Sequence, residues 1–401
     1  MIAPAGTPIS LSDLFGWMLD VVSGRNRQTE LCSAVKAKYG VQHCFVMSSG
    51  RAAMAMIFRL LKQHNTDERR QEIVLPSYTC YSVPAAAEIA GLKVRICDID
   101  PNTMSYDRDQ LASIDLSKVL CLVSANLYGY PNDLPHIEAL CKDAGCYFLD
   151  DAAQSMNAVI AGRYAGSFGD LGLYSLDKGK NITSIQGGII VTNNDTLAEL
   201  ISAEIDCLPE PGFKAKLADS IKLIIYAFLL KPYLYWIPAR IPALGLGKTI
   251  YTTDYVYTRL SRPMCAMAAR LFKRIDRISE QRTRRTQGIL EAISGNQHLD
   301  TPGILNKDVT PVYLRTPIYV LEDHRRKALI DALFDRGIIA TCSYPQSIAD
   351  LDQVLKYSVI HNDTATGGRY MAQHIVTLPS IAYINSHDIQ AIRSAFAELE
   401  E

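Results

Sequence analysis

Four polar clusters interrupt apolar runs, each with residue types suited to a reaction. In CFVMSSGRAAMAMIFRLL, Ser48-Ser49-Gly50-Arg51 ends an apolar run and opens a helical pattern at once. Such a turn offers free backbone N–H groups and the positive helix end to a phosphate. A tight βα turn with serine as N-cap has the same pattern. In CYFLDDAAQS the run ends in Asp150-Asp151, with Gln154 three residues beyond Asp151, a helical spacing that puts the two on one face. A carboxylate there can cap a helix, ligate a metal or pair with a protonated ring nitrogen. No histidine or second acidic cluster is nearby, which disfavours a metal. In LGLYSLDKGKNITSIQGGIIVTNN, Lys178 and Lys180 occupy a polar connection between two apolar runs. A lysine amine can form a Schiff base with an aldehyde cofactor; a pair of solvated loop lysines is the plainer alternative. In VLPSYTCYSVPAAAEIAGLKVRICDID, a Pro-Ser turn with Tyr78 and Tyr81 follows an apolar run, and these rings either stack on a flat ligand or fill the core.

The elements that would position these groups are legible as well. From about residue 43 to 195, short apolar runs alternate with amphipathic helical stretches. That alternation marks βαβ units and a sheet covered on both faces, whose functional side chains collect at the carboxyl ends of the strands. The expected fold class is α/β, with a mostly parallel central sheet, helices on both faces and a smaller C-terminal α+β domain. A long Arg-rich helix is expected over Met264 to Ile293. Beyond it, VYLRTPIYVL, the helical RRKALIDALFDRGI and IVTLPS compose the smaller domain. The boundaries read as a large domain over 1–215, an apolar Tyr- and Pro-rich insert over 216–250, and the helix with the small domain over 251–401.

Composition limits the partners. The 401 residues carry 41 Lys+Arg against 42 Asp+Glu, so no overall field would hold a phosphate backbone, and nucleic acid is not an expected partner. Ten cysteines without a CxxC pair read as reduced thiols of a cytoplasmic chain. The N-terminus lacks the basic and apolar regions of a secretory signal, and no apolar run is long enough to span a bilayer.

The order of the four clusters, a phosphate turn, an aromatic-rich turn, an acid and an amine, resembles the fold-type I pyridoxal-phosphate enzymes. More specifically it resembles the DegT/DnrJ/EryC1/StrS sugar aminotransferases. The likeness is clear from about residue 30 to 205 and returns in YLRTPIYVL and IVTLPS. It implies pyridoxal 5'-phosphate as cofactor. The family's acid motif falls on Asp150-Asp151-Ala152-Ala153-Gln154, so Asp151 would pair with the pyridine nitrogen and Gln154 would lie by the phenolic oxygen side. Its Ser-Phe-x-x-x-Lys-Asn falls on Ser175 to Asn181, making Lys180 the Schiff-base lysine and Ser175 a phosphate contact. Its Ser-Gly-Thr-Ala-Ala appears as Ser49-Gly50-Arg51-Ala52-Ala53, with the N–H groups of Arg51 and Ala52 as donors.

Several positions depart from the pattern. Arg51 replaces a threonine, Gln186-Gly187-Gly188 stands for Glu-Gly-Gly, and Asn126-Leu127-Tyr128-Gly129 stands for His-Leu-Tyr-Gly. The position that stacks on the ring falls on Cys80, between Tyr78 and Tyr81. A Gly-Tyr-Asn-x-Arg segment that reaches the phosphate from the partner subunit is blurred here as TDYVYTRLSRPM. Within the family a lysine at position 180 goes with transamination and a histidine with dehydration. The resemblance therefore implies a homodimer with its active site at the subunit interface, moving an amino group from glutamate to a keto sugar, typically nucleotide-linked. The alternatives are a pyridoxal-phosphate lyase or dehydratase on the same scaffold, and a non-catalytic relative acting as a sensor.

The insert ADSIKLIIYAFLLKPYLYWIPARIPALGLG has no counterpart in that pattern. Its aliphatic and aromatic residues, punctuated by Lys222, Lys231 and Arg240, suit either packing against the body or a second subunit, or a peripheral contact of residues 220–245 with the inner face of the membrane.

Overall fold

In a computed structural model, residues 1–241, 249–304, 308–359 and 365–398 are described. Seven strands make the central sheet: β1 (His43–Met47), β2 (Glu72–Pro76), β3 (Lys93–Cys97), β4 (Val119–Ala125), β5 (Tyr147–Asp151), β6 (Leu171–Ser175) and β7 (Gly188–Thr192). Their spatial order is β1-β7-β6-β5-β4-β2-β3. Pairings among β2 to β6 are parallel, and β7 is antiparallel to both β1 and β6, so one strand runs against the other six.

Because successive side chains point to opposite faces, each fully apolar strand feeds two cores. Ile73 and Leu75 join one core and Val74 the other; Leu173 and Tyr174 divide in the same way. Helices Gly50–His64, Ser82–Ile89 and Asp195–Cys207 cover the first face. Gln28–Tyr39, Leu134–Ala144 and Arg262–Phe272 cover the second.

The helix expected over Met264 to Ile293 is two helices, Arg262–Phe272 and Ile275–Ile293. Arg274 leaves helical backbone at φ −111°, ψ 10°, which redirects the chain from the central sheet toward the C-terminal unit. There β8 (Leu299–Asp300), β9 (Arg315–Val320) and β10 (Ile375–Pro379) form an antiparallel sheet with β9 in the middle. Helices Ile275–Ile293, Asp323–Asp335 and Ser386–Ala397 share its core through Ile289, Leu329 and Ile392.

Arg282 joins the units. It is 2% exposed, donates to Leu314 O (3.0 Å) and Ser380 Oγ (3.2 Å) with Nη1, and to Gly6 O (2.8 Å) and Thr7 Oγ1 (3.2 Å) with Nη2. Burial, with no carboxylate partner among the described residues, pulls its guanidinium down to about 10. Within the apolar insert, Phe213–Leu229 is a helix that begins just before it, Trp236–Ala239 is a short one, and residues 242–248 lie outside the described residues.

Candidate active site

The carboxyl ends of β1, β2, β4, β5 and β6 meet the beginning of the reversed β7 along one edge of the sheet. Register fixes the neighbours there: Ala125 lies beside Asp151, Asp151 beside Leu173, and Ser175 beside Gly188. At this edge a cavity of about 780 Å³ opens, within the usual range for a small-molecule site.

Gly50, Arg51, Cys80, Asp151, Gln154, Ser175 and Lys180 all line this cavity. Ala52 does not. Its amide is taken by Ser49 Oγ at 3.1 Å and its methyl is buried in the core, so Gly50 and Arg51 supply the unused amides of the first turn. The Ala52 amide, expected from the sequence among the phosphate donors, is here bonded to Ser49 Oγ. A Cβ on Gly50 would lie 3.5 Å from Ser175 Oγ, so the missing side chain keeps room between helix start and hydroxyl. Across the cradle, Gly187 has φ +128° and a Cβ on Gly188 would come within 2.7 Å of Gly50 N; both positions need glycine.

The two acids at the end of β5 have different roles. Asp150 is fully buried and accepts from Asn126 Nδ2 at 2.7 Å and from the backbone N–H groups of Gly166 and Phe168. Burial pushes its carboxyl up to about 7 against the pull of those bonds. Asp151 faces the cavity and accepts one bond, from Ala153 N at 3.0 Å. Burial pushes it up to about 6, while the Ala153 bond and the positive charge of Lys180 act downward. The chain after Asp151 is a turn and not the helix that the Asp151–Gln154 spacing suggests. Gln154 still reaches the cavity, held by Tyr344 Oη at 2.8 Å and Tyr128 N at 3.2 Å.

The two lysines separate as cleanly. Lys178 is exposed and lies outside the cavity; Lys180 is half-buried and lines it. Thr7 Oγ1 binds the carbonyls of Lys180 (2.9 Å) and Asn181 (2.8 Å), and Tyr226 Oη donates to Lys178 O at 2.8 Å. Of the candidates after β2, Cys80 lines the cavity, its Sγ 3.0 Å from Ser82 Oγ. Tyr78 and Tyr81 turn away, buried, with their hydroxyls at Tyr344 N and Gln346 O.

Further lining groups come from other parts of the chain, and of these Asp219 carried no sequence signal. Gln186 donates to Asp219 Oδ2 at 2.7 Å, and Asp219 comes from helix Phe213–Leu229. Thr79 Oγ1 is buried at the cavity without a partner among the described residues. The TDYVYTRLSRPM segment lies across this chain's own cavity: Ser48 Oγ donates to Val256 O at 2.7 Å, and Tyr255 Oη to Ser82 O at 3.0 Å.

An amine, a buried acid, small hydroxyls and free helix-start amides in one cavity fit an aldehyde cofactor with a basic ring nitrogen and a phosphate. The unpartnered Thr79 hydroxyl and the glycine-lined cradle fit an anionic group of that kind. Sheet and site together define a fold-type I pyridoxal-phosphate protein. The chain matches the DegT/DnrJ/EryC1/StrS aminotransferase family over residues 20–397, and it belongs to that family, whose cofactor is pyridoxal phosphate.

Among its relatives, a GDP-4-keto-6-deoxy-D-mannose 3-dehydratase of Yersinia pseudotuberculosis is 27% identical over 165 residues, 41% of this chain and 42% of that protein. A GDP-perosamine synthase of Escherichia coli O157:H7 is 27% identical over 157 residues, 39% of this chain and 42% of that protein. Both alignments thus span well under two thirds of the relative. An aminotransferase of pseudoaminic acid biosynthesis from Helicobacter pylori shares the fold at a TM-score of 0.80 and 17% identity, with 99% of this chain and 98% of that one covered.

Proposed function

We propose that the protein is a transaminase that takes an amino group from glutamate and delivers it to a nucleotide-linked keto sugar, working as a homodimer. The observation that carries this reading is the shared cavity of Lys180 and Asp151 beside the free amides of Gly50 and Arg51.

Bound pyridoxal phosphate would supply an electrophilic aldehyde carbon and a ring that withdraws electrons when its nitrogen is protonated. The amides of Gly50 and Arg51, with the Ser175 hydroxyl, would hold the phosphate. Asp151 would keep a proton on the ring nitrogen, helped by burial that strengthens the contact. Gln154 is fixed at both ends and would orient the ring edge. Lys180 Nζ would hold the aldehyde and, once displaced by the donor's amine, would be the base that moves the donor's α-proton. An amine at this place can both hold an aldehyde and carry a proton; an imidazole can do only the second. For that reason Lys180 favours transamination over the dehydration named for the Yersinia relative.

Charged groups of the cavity bear on the acceptor. Arg51 stands at the mouth with its guanidinium 5.8 Å from the Tyr255 ring, where a cation meets a phosphate of the sugar carrier. Glu210 and Asp254 also line the cavity and suit sugar hydroxyls. The GDP-sugar relative named a synthase supports the same class. Glutamate added to the loaded enzyme should bleach its visible absorbance with release of 2-oxoglutarate, and a keto-sugar nucleotide should restore it. Failure of every amino acid to give this half-reaction defeats the reading.

A further inference from the structure

Two neighbouring helices on the outer surface are amphipathic in the inverted sense. Helix Leu11–Val22 exposes Leu11, Phe15, Met18, Leu19 and Val22, a single stripe at helical spacing, with Phe15 60% and Val22 81% exposed. Both of its acids point inward: Asp20 pairs with Arg27 and Arg270, and Asp13 with Arg274. Helix Phe213–Leu229 repeats the arrangement. Phe213, Leu217, Ile221, Ile224 and Phe228 form its outer stripe, and its one acid, Asp219, is buried against Gln186.

The two stripes are the flanks of one surface. Both helices pack on Arg262–Phe272, and between them runs an apolar groove of about 420 Å³ lined by Met18, Val21, Phe213, Leu217, Ile224 and Pro263. The chain beyond the second helix continues the pattern with exposed Tyr233 and Trp236. Cations border it: Lys231 Nζ lies 4.9 Å from the Phe228 ring centre, and the Arg240 guanidinium 5.7 Å from that of Trp236. From residue 213 to 241 the sequence holds Lys214, Lys216, Lys222, Lys231 and Arg240 against Asp219. Lys216 pairs with Glu210 and Lys222 with Asp219, so Lys214, Lys231 and Arg240 are the cations without an acid partner among the described residues.

We propose that this face rests on an anionic membrane surface. Both helices would lie in its plane, with the apolar stripes at the acyl boundary and the cations among the phosphates. Charge complementarity selects this occupant over a second copy of the chain. A two-fold contact sets a patch against the same patch of its partner, and a border that carries Lys214, Lys231 and Arg240 offers its own copy few acids to pair with. Length selects lying on the surface over crossing it: 17 helical residues reach only about 25 Å, short of a hydrocarbon core of about 30 Å. No helix among the described residues is long and apolar enough to span. The membrane helix also walls the catalytic cavity through Ala215 and Asp219, so the site would open about one helix diameter from the lipid.

The test is flotation of the full-length, cofactor-loaded protein with phosphatidylcholine vesicles that contain or lack phosphatidylglycerol. It should float with the anionic vesicles, stay behind with the neutral ones, and be released by high salt. Phe15→Glu and Ile221→Glu, on separate helices, should each lower the partition about tenfold, as should Lys214→Glu with Lys231→Glu, all with unchanged molecular mass and cofactor absorbance. Absence of flotation would overturn the proposal, and so would equal flotation of the variants. A fall from dimer to monomer in Ile221→Glu would also overturn it, by assigning the face to a contact between copies.

Discussion

The hydroxyl of Thr7 lies 2.9 Å from the carbonyl oxygen of Lys180, 173 positions further along the chain, and is itself backed by the buried guanidinium of Arg282 at 3.2 Å. The turn that presents the amine is therefore held from behind by a residue outside the cavity. Thr7→Val keeps the shape and removes the hydroxyl, leaving buried carbonyls without their donor and Arg282 without one acceptor. A loss of about 1–3 kcal/mol in urea unfolding is expected. Cofactor release on dilution should quicken about tenfold, while Thr7→Ser should behave as wild type. Equal release from the valine and serine variants would show that the clamp does not position the lysine.

Exposure predicts which lysine holds the cofactor. Lys178 points to solvent and Lys180 to the cavity, two residues apart. Borohydride treatment of the loaded protein should fix the cofactor on the peptide containing Lys180. Lys180→Ala should abolish the visible band, and Lys178→Ala should leave it intact. Label on Lys178 would move the reactive centre out of the cavity.

The pairing of Gln186 with Asp219 predicts a charge conflict. The amide Nε2 donates to Asp219 Oδ2 at 2.7 Å, and Asp219 is 7% exposed. Gln186→Glu, which restores the residue usual in the family motif, sets two carboxylates against each other and should cost about 1–3 kcal/mol in stability. Adding Asp219→Asn should recover most of it, because the exchanged amide again faces a carboxylate. A double variant no better than Gln186→Glu would mean that the two residues are not coupled.

Much of the site is readable from the sequence because it lies at strand ends. A run such as CYFL is apolar on both sheet faces, so the charged residues after it fall at the carboxyl edge, which points to Asp150-Asp151 and to Lys178 and Lys180; the choice of Asp151 and Lys180 within these pairs comes from the family resemblance. Local pattern does not reveal partners brought in by tertiary packing. Asp219 is 33 positions from Gln186 and sits in a helix whose apolar residues face outward, so hydrophobicity misstates which side is buried. Thr7 belongs to a segment with no periodicity at all. The break at Arg274 escapes notice because the surrounding sequence has neither glycine nor proline, and the turn is imposed by packing between the two units. Spacing alone also made Asp151 to Gln154 look helical; a turn brings both to the cavity instead.

The raised carboxyls at the end of β5 predict an unusual response to pH in the cofactor-free protein. Burial lifts Asp151 from 3.8 to about 6, so between those values the folded state binds more protons than the unfolded one. Stability contributed by this group is therefore present at low pH and falls as pH rises through the window. Two units correspond to about 3 kcal/mol. Asp151→Asn removes the buried charge, so the cofactor-free variant should be more stable than wild type at neutral pH and similar to it near pH 4, while losing transaminase activity. Asp150→Asn should act oppositely. Its new amide group would face the N–H groups of Gly166 and Phe168, and about 3 kcal/mol of stability should be lost. Loading the cofactor should flatten the Asp151 slope, because a protonated ring nitrogen beside the carboxylate favours its charged form. Urea melts of the three cofactor-free proteins across this range, with loaded wild type alongside, provide the check. Parallel curves for wild type and Asp151→Asn would show that the buried carboxylate carries no such penalty.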